Sequence, residues 1–226
     1  MDIDIFKNGW NSENAYIFGW IMSDGCLMKC GRNKTTYAVV IVSNDYDVIE
    51  WLHQKLCIGN KIYKCGNGYS IKYRNISSIN FMISNNLKER KSLTMEFPSS
   101  IPEEFVFDFL RGYFDGDGSL ILHKTDYNTY GQVSFTCGSV QFVNTIREIL
   151  AVRGIDSHVY QDGRCGNSSY YLKVTKRSEI IKLFNLMYSG DKYCLKRKYN
   201  KFCSLFDAKP KYNIAPLDNI FSYDIV

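Results

Sequence analysis

Phe109-Leu110-Arg111-Gly112-Tyr113-Phe114-Asp115-Gly116-Asp117-Gly118-Ser119-Leu120 is the stretch on which the reading of the whole chain turns. An earlier stretch, Tyr16-Ile17-Phe18-Gly19-Trp20-Ile21-Met22-Ser23-Asp24-Gly25-Cys26-Leu27, matches it position by position. Gly19 aligns with Gly112, Asp24 with Asp117, Gly25 with Gly118 and Leu27 with Leu120, each pair 93 positions apart. Two copies of one pattern at a fixed offset indicate a duplicated unit.

The duplication continues outward from the motif. A β-like run, Tyr37 to Val42, follows the first copy, and Gln132 to Thr136 follows the second. Amphipathic helix patterns come next, Val48-Ile49-Leu52-Leu56 and Phe142-Val143-Ile146-Ile149-Leu150, ending near Gly59 and Gly154. Shorter Tyr- and Lys-rich strand patterns follow at Lys61–Lys64 and Tyr69–Arg74, then at His158–Tyr160 and Tyr170–Val174. Apolar helix patterns close each half, Ile76 to Leu87 and Ile180 to Met187. The sequence therefore predicts an α+β protein of two pseudo-symmetric αββαββα halves, 1–97 and 98–226. They join at the stiff stretch Phe97-Pro98-Ser99-Ser100-Ile101-Pro102.

Bulk properties agree and exclude much else. The 226 residues are 45% hydrophobic and 23% charged, which rules out collagen, coiled coil or disorder for the whole chain. The net charge of +5 and the 17 tyrosines are compatible with nucleic-acid binding without proving it. No apolar run approaches a membrane span, and Met1 to Phe6 carries two acids where a signal peptide needs basic residues. An intracellular protein, with no membrane partner, is the expectation; phage-infected cell, bacterial cytoplasm and organelle are not distinguished. The eight cysteines (26, 30, 57, 65, 137, 165, 194 and 203) include no C-x-x-C pair, so reduced thiols are expected rather than zinc.

The motif suggests chemistry. Asn11 or Ser12 can cap the first motif helix; Ser99 or Ser100, with Pro102 in the first turn, can cap the second. A glycine inside a helix costs about 1 kcal/mol relative to alanine. Its appearance at 19 and again at 112 points to a close helix–helix approach, Gly19 against Gly112. The helix ends then meet, bringing Asp24 and Asp117 together. Two carboxylates at negative helix ends repel each other until a cation neutralises them, and hard oxygen ligands suit Mg²⁺. Paired carboxylates with divalent metal are a route to phosphodiester hydrolysis. An EF-hand reading of Asp115-Gly116-Asp117 fails, because Leu120 and Asp126 stand where that loop needs Gly and Glu.

Leu110 to Gly118 (LRGYFDGDG) and, more loosely, Ile17 to Gly25 (IFGWIMSDG) resemble the motif of the LAGLIDADG homing endonucleases, in the single-chain, two-motif form. Met22 departs from the first acid of that motif, whereas the acid at its eighth position is present in both copies. The resemblance implies a two-helix interface and an antiparallel β-saddle. It implies an intron-encoded monomer that cuts both strands of a duplex site about two helical turns long, leaving 3′ overhangs. By it, Asp24 and Asp117 hold Mg²⁺, with Mn²⁺ or Ca²⁺ suited to the same sites, and Gly25 and Gly118 form the turn after each acid. It also makes Lys91 and Lys198 candidate catalytic lysines, with Lys196 an alternative to Lys198. Val42, Ser43, Thr136 and Cys137 are unassigned candidates for positioning water.

A saddle reads DNA with alternate side chains of its strands. Basic and aromatic residues on the strand-like runs form the candidate surface. These are Lys29, Arg32, Lys34, Tyr37, Lys61, Tyr63, Lys64, Lys72 and Arg74 in the first half. The second half offers His123, Lys124, Tyr127, Tyr130, Gln132, Tyr160, Arg164, Tyr170 and Lys173. The alternative is a non-cleaving nucleic-acid-binding protein on the same scaffold, an intron RNA maturase or a regulator. A small phosphate-ester hydrolase is weaker, since it leaves the basic strands unexplained.

Overall fold

The computed structural model describes residues 2–32, 36–57, 59, 61–124, 129–163 and 169–207. Lys34, Tyr127, Arg164, Cys165 and the tail from 208 onward lie outside the described residues. The first half runs α1 (Ser12–Asp24), β1 (Gly25–Cys30), β2 (Thr36–Ser43), α2 (Tyr46–Leu56), β3 (Tyr63–Cys65), β4 (Gly68–Tyr73), α3 (Ile76–Ser84). The second runs α4 (Val106–Asp117), β5 (Gly118–Lys124), β6 (Thr129–Cys137), α5 (Val140–Val152), β7 (His158–Asp162), β8 (Ser169–Val174), α6 (Arg177–Tyr188). Each half has the αββαββα order that its sequence periodicity predicts. One further helix, α7 (Lys196–Asp207), follows, and a short 3₁₀ turn at Lys91–Leu93 stands at the corresponding place in the first half. Among the described residues no helix is long and apolar enough to cross a membrane.

Asn11 caps α1 with a reciprocal box: Asn14 N–H donates to Asn11 Oδ1 at 2.9 Å, and Asn11 N–H donates to Asn14 Oδ1 at 2.8 Å. The start of α4 differs from expectation. Pro102 leads into a 3₁₀ turn, Glu103–Phe105, before α4 begins at Val106, and neither Ser99 nor Ser100 caps it. The backbone N–H and hydroxyl of Ser100 both donate to Asn85 Oδ1, at 2.9 and 2.8 Å. That buried amide takes the serine away from the helix and ties the inter-half linker to the end of α3.

The strands form two antiparallel four-stranded sheets, ordered β1-β2-β4-β3 and β5-β6-β8-β7. Their registers superpose residue on residue. Leu27 opposes Val39 and Val39 opposes Tyr73; Leu120 opposes Val133 and Val133 opposes Val174. Val39 therefore corresponds to Val133, and the alternation of strands assigns every neighbour a face. Leu27, Val39, Ile41, Ile71 and Tyr73 face the core in one sheet; Leu120, Val133, Phe135, Leu172 and Val174 do so in the other. The opposite face of each sheet carries residues outside that core.

Helices α1 and α4 pack side by side between the halves. At their closest point a Cβ on Gly112 would lie 2.0 Å from the Tyr16 carbonyl oxygen, and one on Gly19 would lie 2.1 Å from that of Phe109. No other residue fits there, so the two interior glycines exchange helix propensity for backbone contact. Around them Tyr16, Phe18, Trp20, Phe109 and Tyr113 are all fully buried.

Candidate active site and nucleic-acid interface

Each motif helix runs without a loop into the first strand of its sheet, so Asp24 and Asp117 occupy the last turns of α1 and α4. The helix crossing brings these turns together: a Cβ on Gly116 would meet Ser23 Oγ at 1.9 Å and Asp24 Oδ2 at 3.1 Å. Asp24 is half-buried and Asp117 opens to solvent. Burial, reinforced by the charge of Asp117, pushes the Asp24 carboxyl up to about 6. Desolvation also raises Asp117, against the pull of Lys91 and Lys198.

Both candidate lysines are buried, and both serve the motif turns. Lys91 Nζ donates to the carbonyls of Gly25 and, at 3.3 Å, Ser23. Lys198 Nζ donates to the carbonyls of Phe114 at 2.6 Å, Gly116 at 3.0 Å and Gly118 at 2.6 Å. Ser23 corresponds to Gly116 and Gly25 to Gly118, so the two halves make the same arrangement. An ammonium group satisfies orphaned helix-terminal carbonyls and opposes the negative end of the dipole. Burial lowers Lys91 and brings Lys198 down to about 8. Lys196 is exposed, so of the two alternatives Lys198 is the one that reaches the site.

The buried carboxylate of Asp115 braces this cluster. Tyr16 OH donates to Oδ2 and Tyr188 OH to Oδ1, both at 2.9 Å, and Leu195 N–H donates to Oδ2 at 2.8 Å. Leu195 in turn accepts from Lys198 N–H, in the first turn of α7. The sequence signal for this role is an acid inside an apolar helix, which needs partners when buried.

The carboxylates fit a divalent cation. Two acids from separate chain segments, with the charge of Asp117 raising Asp24, gain from a nearby positive charge. Mg²⁺ commonly uses only one or two carboxylates and keeps several waters. Among the described residues no group of three or more His, Cys, Asp or Glu side chains converges to form a closed protein cage. The carbonyls of Gly25 and Gly118 already accept lysine ammonium groups, which leaves the two carboxylates as the principal donors.

The faces of the sheets away from the core sort the surface residues. Lys72 and Tyr63 lie on this outward face in the first half, with Arg74 exposed at its rim. His123, Tyr130, Gln132, Tyr160 and Lys173 do so in the second. Lys173 sits over the rings of Tyr160 and Tyr171, 4.8 and 5.0 Å from their centroids, and His123 stacks on Tyr130. Tyr171 joins this face beyond the residues expected from sequence, although its alternation with Lys173 is a signal for it. Tyr37 and Tyr170 depart from expectation: their strand parity is that of Val39 and Leu172, and both pack against the core. Lys29, Lys64 and Lys124 share that parity at the exposed ends of strands, and Lys29 pairs with Glu89 at 3.7 Å. Arg32 and Lys61 are exposed on connecting turns. Of the candidates for positioning water, Val42 and Thr136 face outward; Cys137 is buried and Ser43 accepts from Asp45 N–H.

Comparison with known proteins agrees with this geometry. The family model of the LAGLIDADG-like domain matches residues 104–187. The solved structure of I-SmaMI bound to uncleavable DNA is 16% identical, with a TM-score of 0.57 over 86% of this chain and 88% of that one. I-LtrWI bound to target DNA gives 16% and 0.56, over 87% and 91% of the two chains. A mesophilic variant of I-DmoI gives 18% and 0.57, over 80% and 92%. An uncharacterized protein of Methanocaldococcus jannaschii is 25% identical over 165 residues, 70% of this chain, and the chain spans 60% of that relative's length. The fold is that of the single-chain LAGLIDADG homing endonucleases. The LAGLIDADG-like domain match lies in the second half of the chain, and the fold likeness extends over both halves.

Proposed function

We propose that the protein is a site-specific DNA endonuclease of the homing type. It hydrolyses one phosphodiester bond in each strand of a long duplex site and leaves 3′ overhangs. One observation carries the reading: two motif aspartates, one from each half, meet at adjacent helix ends, each beside a buried lysine that pins its turn. The likeness to I-SmaMI, also solved on an uncleaved DNA target in the presence of calcium ions, supports the use of divalent metal.

In this reading Asp24 and Asp117 hold Mg²⁺, which activates water and stabilises the leaving oxygen when bound. Each carboxylate serves one strand. Lys91 and Lys198 fix the backbone on which the carboxylates stand and set positive charge beside the reacting phosphates. The outward sheet faces carry the duplex, with basic side chains on phosphates and alternate strand residues on base edges. The protein acts as a single chain, because it already contains both halves of the site.

The test is cleavage of a randomised duplex library in Mg²⁺, with cuts mapped on both strands. Asp24→Asn and Asp117→Asn should each abolish double-strand cleavage while leaving binding within a few-fold. Wild type that binds nucleic acid and never cuts would make the protein a non-cleaving binder.

A further inference from the structure

The two outward faces share a frame and differ in chemistry. The registers equate Met28 with Ile121, Lys72 with Lys173, and Tyr63 with Tyr160. Along the strand beside β1 they equate Ala38, Val40 and Val42 with Gln132, Ser134 and Thr136. The second half therefore presents the hydrogen-bonding side chains Gln132 and Thr136, and the first the apolar Val40 and Val42; Ala38 and Ser134 are buried, Ser134 against Ser119 Oγ at 2.9 Å. Met28 and Val42 are each 40% exposed and Val40 is partly exposed, whereas Ala38 is fully buried. Met28, Val40 and Val42 leave apolar surface open on this face.

Charge narrows what can cover this face. None of the strands β1 to β4 contains an acidic residue, while Lys72 lies on this face and Arg74 follows β4. A hollow of about 220 Å³ between Val40, Tyr63, Ser70, Ile71, Lys72 and Arg74 combines an apolar floor with a cationic rim. A polyanion with apolar groups on its edge matches both features. In duplex DNA the apolar group of the major groove is the thymine C5-methyl, which apolar side chains contact. Residues 40 and 42 lie about 6.6–6.8 Å apart along β2, close to two base-pair steps.

We infer that the two halves read DNA by different chemistry, the first sheet recognising a thymine-rich half-site through methyl contacts from Met28, Val40 and Val42. The second sheet reads its half-site by hydrogen bonds from Gln132 and Thr136. This rests on the DNA-binding reading above and adds the class of sequence preferred by one half.

The experiment selects binding sites for the full chain from a randomised duplex library in Ca²⁺, then replaces thymine by deoxyuridine in one half-site at a time. Deoxyuridine keeps the pairing edge and removes only the methyl. At the transfer value of one methyl, removing each recognised methyl weakens binding by about three- to fourfold, so several together exceed tenfold. The expected result is a thymine-rich half-site that weakens by at least tenfold on replacement, beside a second half-site that changes by less than threefold. The variant V40S/V42T, which gives β2 the side chains of β6, should remove the sensitivity and shift the selected bases in that half-site alone. Specific binding with no thymine preference, or with equal deoxyuridine effects in both half-sites, overturns the inference and leaves the endonuclease reading standing. Absence of duplex binding overturns both.

Discussion

Replacing Gly112 with alanine sets two opposed effects against each other at the seam between the halves. Alanine gains about 1 kcal/mol of helix propensity over glycine. Its Cβ, however, would sit 2.0 Å from the Tyr16 carbonyl oxygen, 2.9 Å from that carbonyl carbon and 3.1 Å from Trp20 nitrogen. These atoms are backbone of the facing helix, so no side-chain rotation relieves the clash. The helices must part by about 1 Å, and a gap of that size forfeits a quarter to a half of the dispersion attraction across it. Tyr16, Phe18, Trp20, Phe109 and Tyr113 are the buried side chains whose packing loosens. Overpacking typically costs about 1–3 kcal/mol, and this immovable clash belongs at the top of that range. The net expectation for Gly112→Ala is a loss of about 2 kcal/mol, a fall in Tm of about 4–8 °C. Denaturant unfolding and calorimetry measure it directly. Gly19→Ala should behave alike, and the double variant should cost less than the sum, because one separation relieves both clashes. A Gly112→Ala protein as stable as wild type, or more so, refutes the close approach.

Asp24 makes metal-free stability depend on pH in a defined direction. Its folded pKa of about 6 lies above the ordinary value of 3.8, so its stabilising contribution is complete below about pH 4 and is lost as pH rises through 6. The loss is on the order of 2 kcal/mol, and Asp24→Asn should abolish it and raise Tm at pH 7.5, as followed by chemical denaturation at fixed ionic strength. Above pH 6, Mg²⁺ should raise the Tm of wild type more than that of Asp24→Asn, which keeps only Asp117, in a thermal melt. Lys198→Met strips three carbonyls of their donor, and a loss of about 2–4 kcal/mol with cleavage abolished is expected in paired unfolding and nicking assays. Asp115→Leu leaves two tyrosine hydroxyls and the Leu195 N–H unmatched; it should cost about 3 kcal/mol, and an unchanged denaturation midpoint would show that the brace does not exist.

Much of this site is legible in the sequence because duplication makes weak signals mutual. A single glycine in a helix says little, but Gly19 and Gly112 at a common offset predict the contact that the backbone makes. Strands and helices follow from periodicity for the same reason, each half checking the other. The sidedness of the strands is readable too, from Leu27 and Leu120, yet residue type alone puts Tyr37 and Tyr170 on the wrong face. The 3₁₀ entry to α4 is not legible, because it depends on Asn85 capturing Ser100 from outside the segment. Helix α7 is hidden by its basic start, Lys196-Arg197-Lys198, although Phe202, Leu205 and Phe206 already have helical spacing.

The breaks in symmetry lie at the elements that support the site. In the second half α7 carries Lys198 and seats Leu205 where Gly131 leaves room: a Cβ there would lie 2.6 Å from Leu205 Cδ2. The register places Tyr37 at the position of Gly131, and its ring packs against the first core. Lys91 then comes from a 3₁₀ turn entered through Arg90, whose φ of 52° holds the chain in the left-handed region. Met22 stands where Asp115 braces the second half, because the first half has no α7 to anchor. One chemical requirement, an ammonium on the carbonyls below each motif acid, is thus met by two different local structures. The shared feature is the geometry at the two aspartates, and the supporting chain was free to diverge around it, which is consistent with the domain match covering only the second copy.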